Sequence, residues 1–294
     1  MGIEQTLQGQ PRDLGGGFMV ARLLPAARRR SVGPFLFFDH FGPVTVLPGA
    51  GHDVRSHPHI GLATVTYLFE GAILHRDSLG LVQRIEPGAI NWMTAGRGIV
   101  HSERQPEDLK HSSYVNHGIQ LWAALPRADE ECAPAFEHTP AAAIPVVQLP
   151  GAVLRVLVGS AFGAVSPVRA FANALYLDIA LEPDATLELP ALAQELALYP
   201  VDGAVQADGE SVPARTMAVL SAGQGVVLHS REPARLLLLG GDALDAPRHI
   251  WWNFVSSRKQ RIVQAAADWQ AQAMGQVPGE TGFIPLPERR FSAD

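Results

Sequence analysis

His57 and His59 stand two residues apart in the run Gly51-His52-Asp53-Val54-Arg55-Ser56-His57-Pro58-His59. On an extended strand alternate side chains project to one face, so both imidazoles would point the same way, near enough to chelate one ion. His101-Ser102-Glu103 repeats the spacing. If the two pairs lie on neighbouring strands, three imidazoles and one carboxylate converge on a single metal from a barrel interior. The expected ligands are therefore His57, His59, His101 and Glu103. Imidazole suits iron, copper, nickel, manganese and zinc, and the carboxylate offsets one charge of a divalent ion. An octahedral metal on four protein ligands keeps two positions for water, oxygen or substrate. Glu103 is also the candidate catalytic base, by shifting off the metal to take a substrate proton. A lone His-x-His is a weak sign of a metal; the second pair and the surrounding glycine turns strengthen it.

The other polar candidates read differently. His40 and His117 sit in β-rich contexts, as partners behind the ligands or as satisfied structural histidines. His52, His75, His111 and His138 are expected on the surface. No histidine occurs between Thr139 and Leu228, and His229 and His249 lack a partner two residues away. The second half is therefore expected to be a lid or an interaction surface without a metal. Cys132, the one cysteine, follows Asp129, Glu130 and Glu131. Carboxylates disfavour a thiolate, so it reads as an inert thiol. Trp92 or Met93 would line a pocket, and strand alternation allows only one of them inward.

Short β-rich segments must position these groups. In the first half they are residues 35–38, 63–69, 89–94 and 119–125, separated by turns such as Pro48-Gly49, Glu70-Gly71, Pro87-Gly88 and Gly96-Arg97-Gly98. Between Pro126 and Pro150 prolines, an acidic cluster and an alanine run mark a domain boundary. Strands return at 154–158, 175–181, 195–201, 216–220, 225–229 and 235–239. The expected domains are 1–138, which holds the metal, and 139–294. One late segment, 257–274, reads as a helix with Ser256 as N-cap and Gly275 as stop, its apolar Ile262, Ala266, Trp269 and Ala273 packing on a barrel. Trp251-Trp252-Asn253-Phe254 is expected to pack between barrel and helix.

Bulk properties narrow the partners. The chain has 294 residues and a net charge of -6, a surface that repels a phosphate backbone. Arg28-Arg29-Arg30 is short and reads as a solvated loop. No disulfide can form within the chain, no charged-then-apolar leader opens it, and no run of about 18 apolar residues exists. A cytoplasmic protein without direct nucleic-acid or membrane binding is expected.

Several spaced motifs resemble the pirin family. They are the entry segment Gly33-Pro34-Phe35-Leu36-Phe37-Phe38-Asp39-His40-Phe41-Gly42, the His57-Pro58-His59 motif with Gly61 and Thr64 to Gly71, the stretch from Trp92 to Glu103, and Gln120-Leu121-Trp122 with Leu125-Pro126. Together they cover about a third of the chain. The resemblance implies an all-β bicupin, two antiparallel jelly-roll-like barrels with a short C-terminal helix. It implies iron(II) on His57, His59, His101 and Glu103; nickel, manganese, cobalt or zinc suit the same donors. It implies one of two activities: cleavage of a flavonol such as quercetin with O2, or iron-dependent regulation of a partner protein such as a transcriptional regulator or metabolic enzyme. This sequence departs from the family at two points. Ala63 and Thr64 stand where ordinary cupins place a glutamate ligand. Ile60 and Ala63 replace polar residues common after the His-Pro-His segment, so a more apolar site mouth, suited to a flat aromatic, is expected.

Overall fold

The computed structural model describes residues 2–14, 18–50 and 53–293; Gly51 and His52 lie outside them. Two compact units trade segments along the chain. One comprises Met1–Gln10, Arg22–Phe38 and Thr139–Leu244, the other Pro11–Ala21, Asp39–His138 and Asp245–Asp294.

The first unit pairs a seven-stranded with a four-stranded antiparallel sheet. The larger runs in the order Ile3–Gln8, Thr216–Leu220, Glu195–Asp202, Ala234–Gly241, Ala174–Leu181, Ala152–Val158, Val146–Leu149. The alternation expected at 175–181 is what fills its interior: Leu175, Leu177, Ile179 and Leu181 all enter one core, meeting Leu187 and Leu228 of the smaller sheet. Each such buried side chain contributes about 1.5–3 kcal/mol of burial. The N-terminal strand Ile3–Gln8 closes one edge by pairing with Thr216–Leu220.

A second seven-stranded sheet has Ile90–Thr94, Leu62–Glu70 and Tyr114–Ala124 of the second unit as successive neighbours, followed by Phe35–Val46, which belongs to that unit from Asp39 onward. A four-stranded sheet accompanies it, in the order Val54–His59, Ile99–Arg104, Ile73–Asp77, Val82–Ile85. Each unit is thus a jelly roll of two antiparallel sheets. Gly61 joins Val54–His59 to Leu62–Glu70 with φ +68, and a Cβ there would meet the Val255 carbonyl oxygen at 2.0 Å. Only glycine allows both the turn and the approach. That approach seats the hairpin of His249–Trp251 and Phe254–Ser256 beside His59.

The helix is Lys259–Gln270, shorter than the expected 257–274, and Arg258, not Ser256, is its N-cap. Ser256 Oγ accepts the Arg258 N–H instead, and the Glu130 carboxylate accepts the Ser257 N–H, so the turn before the helix is fastened to an acidic residue rather than continued. Gln272, at φ +54, breaks the far end before Gly275. Ile262, Ala265 and Trp269 are buried against Ile60, Val100 and Phe254. Hence the helix and tail, expected to close the 139–294 domain, pack in the unit that holds residues 39–138. Trp251 and Trp252 join this cluster, as the packing reading required.

Candidate metal centre

Val54–His59 and Ile99–Arg104 pair antiparallel with His57 opposite His101 and His59 opposite Ile99. Directly opposed residues share a sheet face, so the two-residue spacing on each strand brings three imidazoles to one side. One ring nitrogen from each of His57, His59 and His101 lies within 4.8 Å of the others. The rings sit 4.3 Å (His57–His101) and 5.0 Å (His57–His59, His59–His101) apart, and all three are buried.

Their second nitrogens are occupied. His57 Nδ1 contacts the Arg55 carbonyl at 2.8 Å and His59 Nδ1 the Asn253 carbonyl at 3.2 Å. A carbonyl only accepts, so each ring carries its proton on Nδ1 and leaves Nε2 as a lone pair. His101 Nε2 is buried with no partner. Burial drives the His57 pKa down to about 4, against the upward pull of the Arg55 carbonyl. Burial and neighbouring histidines hold His59 and His101 well below the usual imidazole range. Three neutral imidazoles with convergent lone pairs are the donor set a divalent metal takes, and they fit one here.

Glu103 stands outside this 4.8 Å group. It shares a strand face with His101, but the pairing slips between the two, setting Glu103 opposite Val54. Half-buried, its carboxyl is pushed up to about 7 by desolvation.

The family model for pirin matches residues 17–123, and that for the pirin C-terminal cupin domain matches 176–275. A pirin-like protein of Caulobacter vibrioides is 46% identical over 290 residues, covering 97% of this chain and 100% of that one. A crystal structure of quercetin 2,3-dioxygenase from Acinetobacter baumannii superposes with TM-score 0.90 at 34% identity, covering 99% and 98% of the two chains. A second quercetin 2,3-dioxygenase structure from that organism gives TM-score 0.88 at 27% identity, covering 94% and 99%. The chain belongs to the pirin family. Its fold is all-β with two cupin domains.

Around the histidines this pirin departs from several sequence expectations. His75, expected on the surface, is buried, because Ile73–Asp77 lies inside the small sheet next to Ile99–Arg104. His75 Nδ1 is 3.4 Å from His101 Nδ1, and its Nε2 is 3.1 Å from Asp77 Oδ2. His138 is half-buried, its Nδ1 2.7 Å from Asn91 Oδ1, whereas His111 is exposed as expected. His40 and His117 contact each other, Nε2 to Nε2 at 2.8 Å.

The apolar mouth does not form from the residues that suggested it. Ile60 is sealed in the helix cluster and Ala63 is fully buried. The face looking toward His59 is set by Trp122, 5.2 Å from that ring. Cross-strand register puts Thr64 and Met93 on the same face as Trp122, with Thr66, Gln120 and Asn91 one step along. So Met93, not Trp92, shares the histidine-facing side, and the wall there mixes an aromatic with hydrogen-bonding groups. Thr66 Oγ1 donates to Gln120 Oε1 at 2.9 Å. Cys132 is half-buried, its thiol pKa raised by burial and by Asp129, in keeping with an inert role.

Proposed function

We propose that this pirin is a metal-dependent oxygenase of the quercetin 2,3-dioxygenase type, with His57, His59, His101 and Glu103 holding one divalent ion, iron(II) by family resemblance. The observation that carries the reading is the convergence of three buried, neutral histidines whose Nδ1 atoms are already engaged. The likeness to quercetin 2,3-dioxygenase structures supplies the substrate class, a flavonol, with O2 as co-substrate. When bound there, a divalent metal would supply Lewis-acid chemistry toward the flavonol oxygens.

The protein's own groups do the rest. The imidazoles stay neutral and fixed in orientation. Glu103, on the strand that carries His101, takes the flavonol 3-hydroxyl proton at a carboxylate oxygen. Trp122 offers an aromatic wall for a flat ring system, and Thr66, Gln120 and Asn91 offer partners for its hydroxyls. The test is an oxygen electrode with iron(II)-loaded protein, quercetin and His57→Ala as blank. Oxygen uptake above the blank with carbon monoxide release is expected. Uptake no greater than the blank across several flavonols would overturn the oxygenase and leave a metal-dependent binding module.

A further inference from the structure

His57 and His59 pass their Nδ1 protons to backbone carbonyls, which cannot do otherwise than accept. His101 has no such carbonyl. Its Nδ1 faces another imidazole nitrogen, His75 Nδ1, and two such atoms attract only when one carries the proton and the other a lone pair. Asp77 settles which. It is fully buried, and its Oδ1 accepts the Leu79 and Leu81 N–H groups at 2.9 and 3.1 Å. That anchors the carboxylate and aims Oδ2 at His75 Nε2, 3.1 Å away. Oδ2 accepts, so His75 carries its proton on Nε2 and presents a lone pair at Nδ1. His101 must then hold its proton on Nδ1, which leaves the partnerless Nε2 free to ligate. Phe136 stacks on His75 at 4.3 Å and 28°, keeping the ring in this orientation.

We propose that Asp77 and His75 form a positioning relay that fixes the tautomer and orientation of His101 for metal binding, doing through a carboxylate and an imidazole what carbonyls do for the other two ligands. Neither residue touches metal or substrate in this account. The inference rests on the metal-site reading, yet its first test needs no metal.

Long-range nitrogen–proton correlation NMR on the metal-free full chain reports which nitrogen of each histidine bears the proton. His101 is expected as the Nδ1–H form and His75 as the Nε2–H form; His101 found as Nε2–H overturns the relay. In His75→Phe, which keeps the stack on Phe136, the His101 signals should show mixed tautomers. Cobalt(II) affinity, read by visible absorption and competition, should fall about 10- to 100-fold, the usual cost of losing a partner behind a ligand. Asp77→Asn should give an intermediate loss, and His75→Gln, which restores an acceptor, a partial recovery. A folded His75→Phe binding cobalt(II) as tightly as the parent chain overturns the proposal. If the parent chain binds no cobalt(II) at all, the metal reading fails while the tautomer result still decides the relay. Should the variants fail to fold, that same measurement on the parent chain decides alone.

Discussion

Glu280 is worth removing first, because it fastens the tail behind the two strands that carry the histidines. Its carboxylate accepts Ser56 Oγ at 2.8 Å, Ser102 Oγ at 2.6 Å and two guanidinium nitrogens of Arg104. Ser56 precedes His57 and Ser102 follows His101, so the contact grips the back of both ligand strands. Burial alone would raise the carboxyl; Arg104 and the two serines overcome this and hold it down to about 2. Relative to an ordinary 4.5, that favours the ionised form by roughly 3 kcal/mol, and partial solvent screening of Arg104 reduces this to about 2 kcal/mol. A depressed carboxyl contributes fully above its unfolded pKa and loses its contribution as pH falls through the folded one. Glu280→Gln should therefore loosen the tail by about 2 kcal/mol at neutral pH, the difference from the parent shrinking between pH 4.5 and 2. Two units make whole-chain unfolding a poor gauge. Hydrogen exchange at the Ile284 amide, which donates to the Ser56 carbonyl at 2.8 Å, reads the local opening directly. A change below about 0.5 kcal/mol, or one equal at neutral and acid pH, would refute the reasoning.

Other outcomes follow from the same geometry. His57→Ala or His101→Ala should abolish most metal binding by elemental analysis while circular dichroism keeps the β signature, because the core is apolar and separate; a lost fold would make the site structural. Metal affinity should rise up to tenfold per pH unit to about 7 and then level off, since Glu103 must lose its proton while His57, lowered to about 4, is already neutral; cobalt(II) titrations from pH 6 to 8 check it, and Glu103→Gln should flatten the slope. That variant should also cut flavonol turnover about 100-fold at full metal loading. Trp269→Ala should destabilise the helix docking by about 3–5 kcal/mol, because Trp269 is buried, meets Phe283 edge-on and donates Nε1–H to the Ile284 carbonyl; protease cleavage within 259–293 reads it.

Strands and the grouping of the three histidines were legible for one reason: a strand has period two. His-x-His and His-x-Glu are statements about faces, and the Leu175-to-Leu181 alternation is the same statement about a core. What period two cannot give is which strand lies next to which. His75 looks like a surface histidine between Leu74 and Arg76 until Ile73–Asp77 is known to neighbour Ile99–Arg104. Asp77-Ser78-Leu79 does carry a local signal, an aspartate poised to accept the backbone two residues on, and that signal alone would have flagged a fixed carboxylate. The mouth residues misled for a related reason. Ile60 and Ala63 are near His59 in sequence, but their side chains serve packing, while the histidine-facing wall comes from Trp122, Met93 and the residues that alternate with Ala63 along Leu62–Glu70.

The site's proton arrangement carries the functional reading further than ligand identity does. Each of the three imidazoles gives its Nδ1 proton away from the centre, so three lone pairs point toward one another in a buried space. Without a cation this is unfavourable: the lone pairs repel, and one of them, His101 Nε2, has no donor at all. Protonation would relieve the repulsion, but burial and the neighbouring histidines oppose it, as the depressed His57 value shows. Glu103 holds its proton to about pH 7 because burial disfavours its charged form. Histidines kept for packing alone would be expected to pair donor with acceptor, as Thr66 and Gln120 do on the facing sheet. A cluster that refuses both protons and mutual hydrogen bonds is relieved by a divalent cation, and that is the physical ground for placing one there.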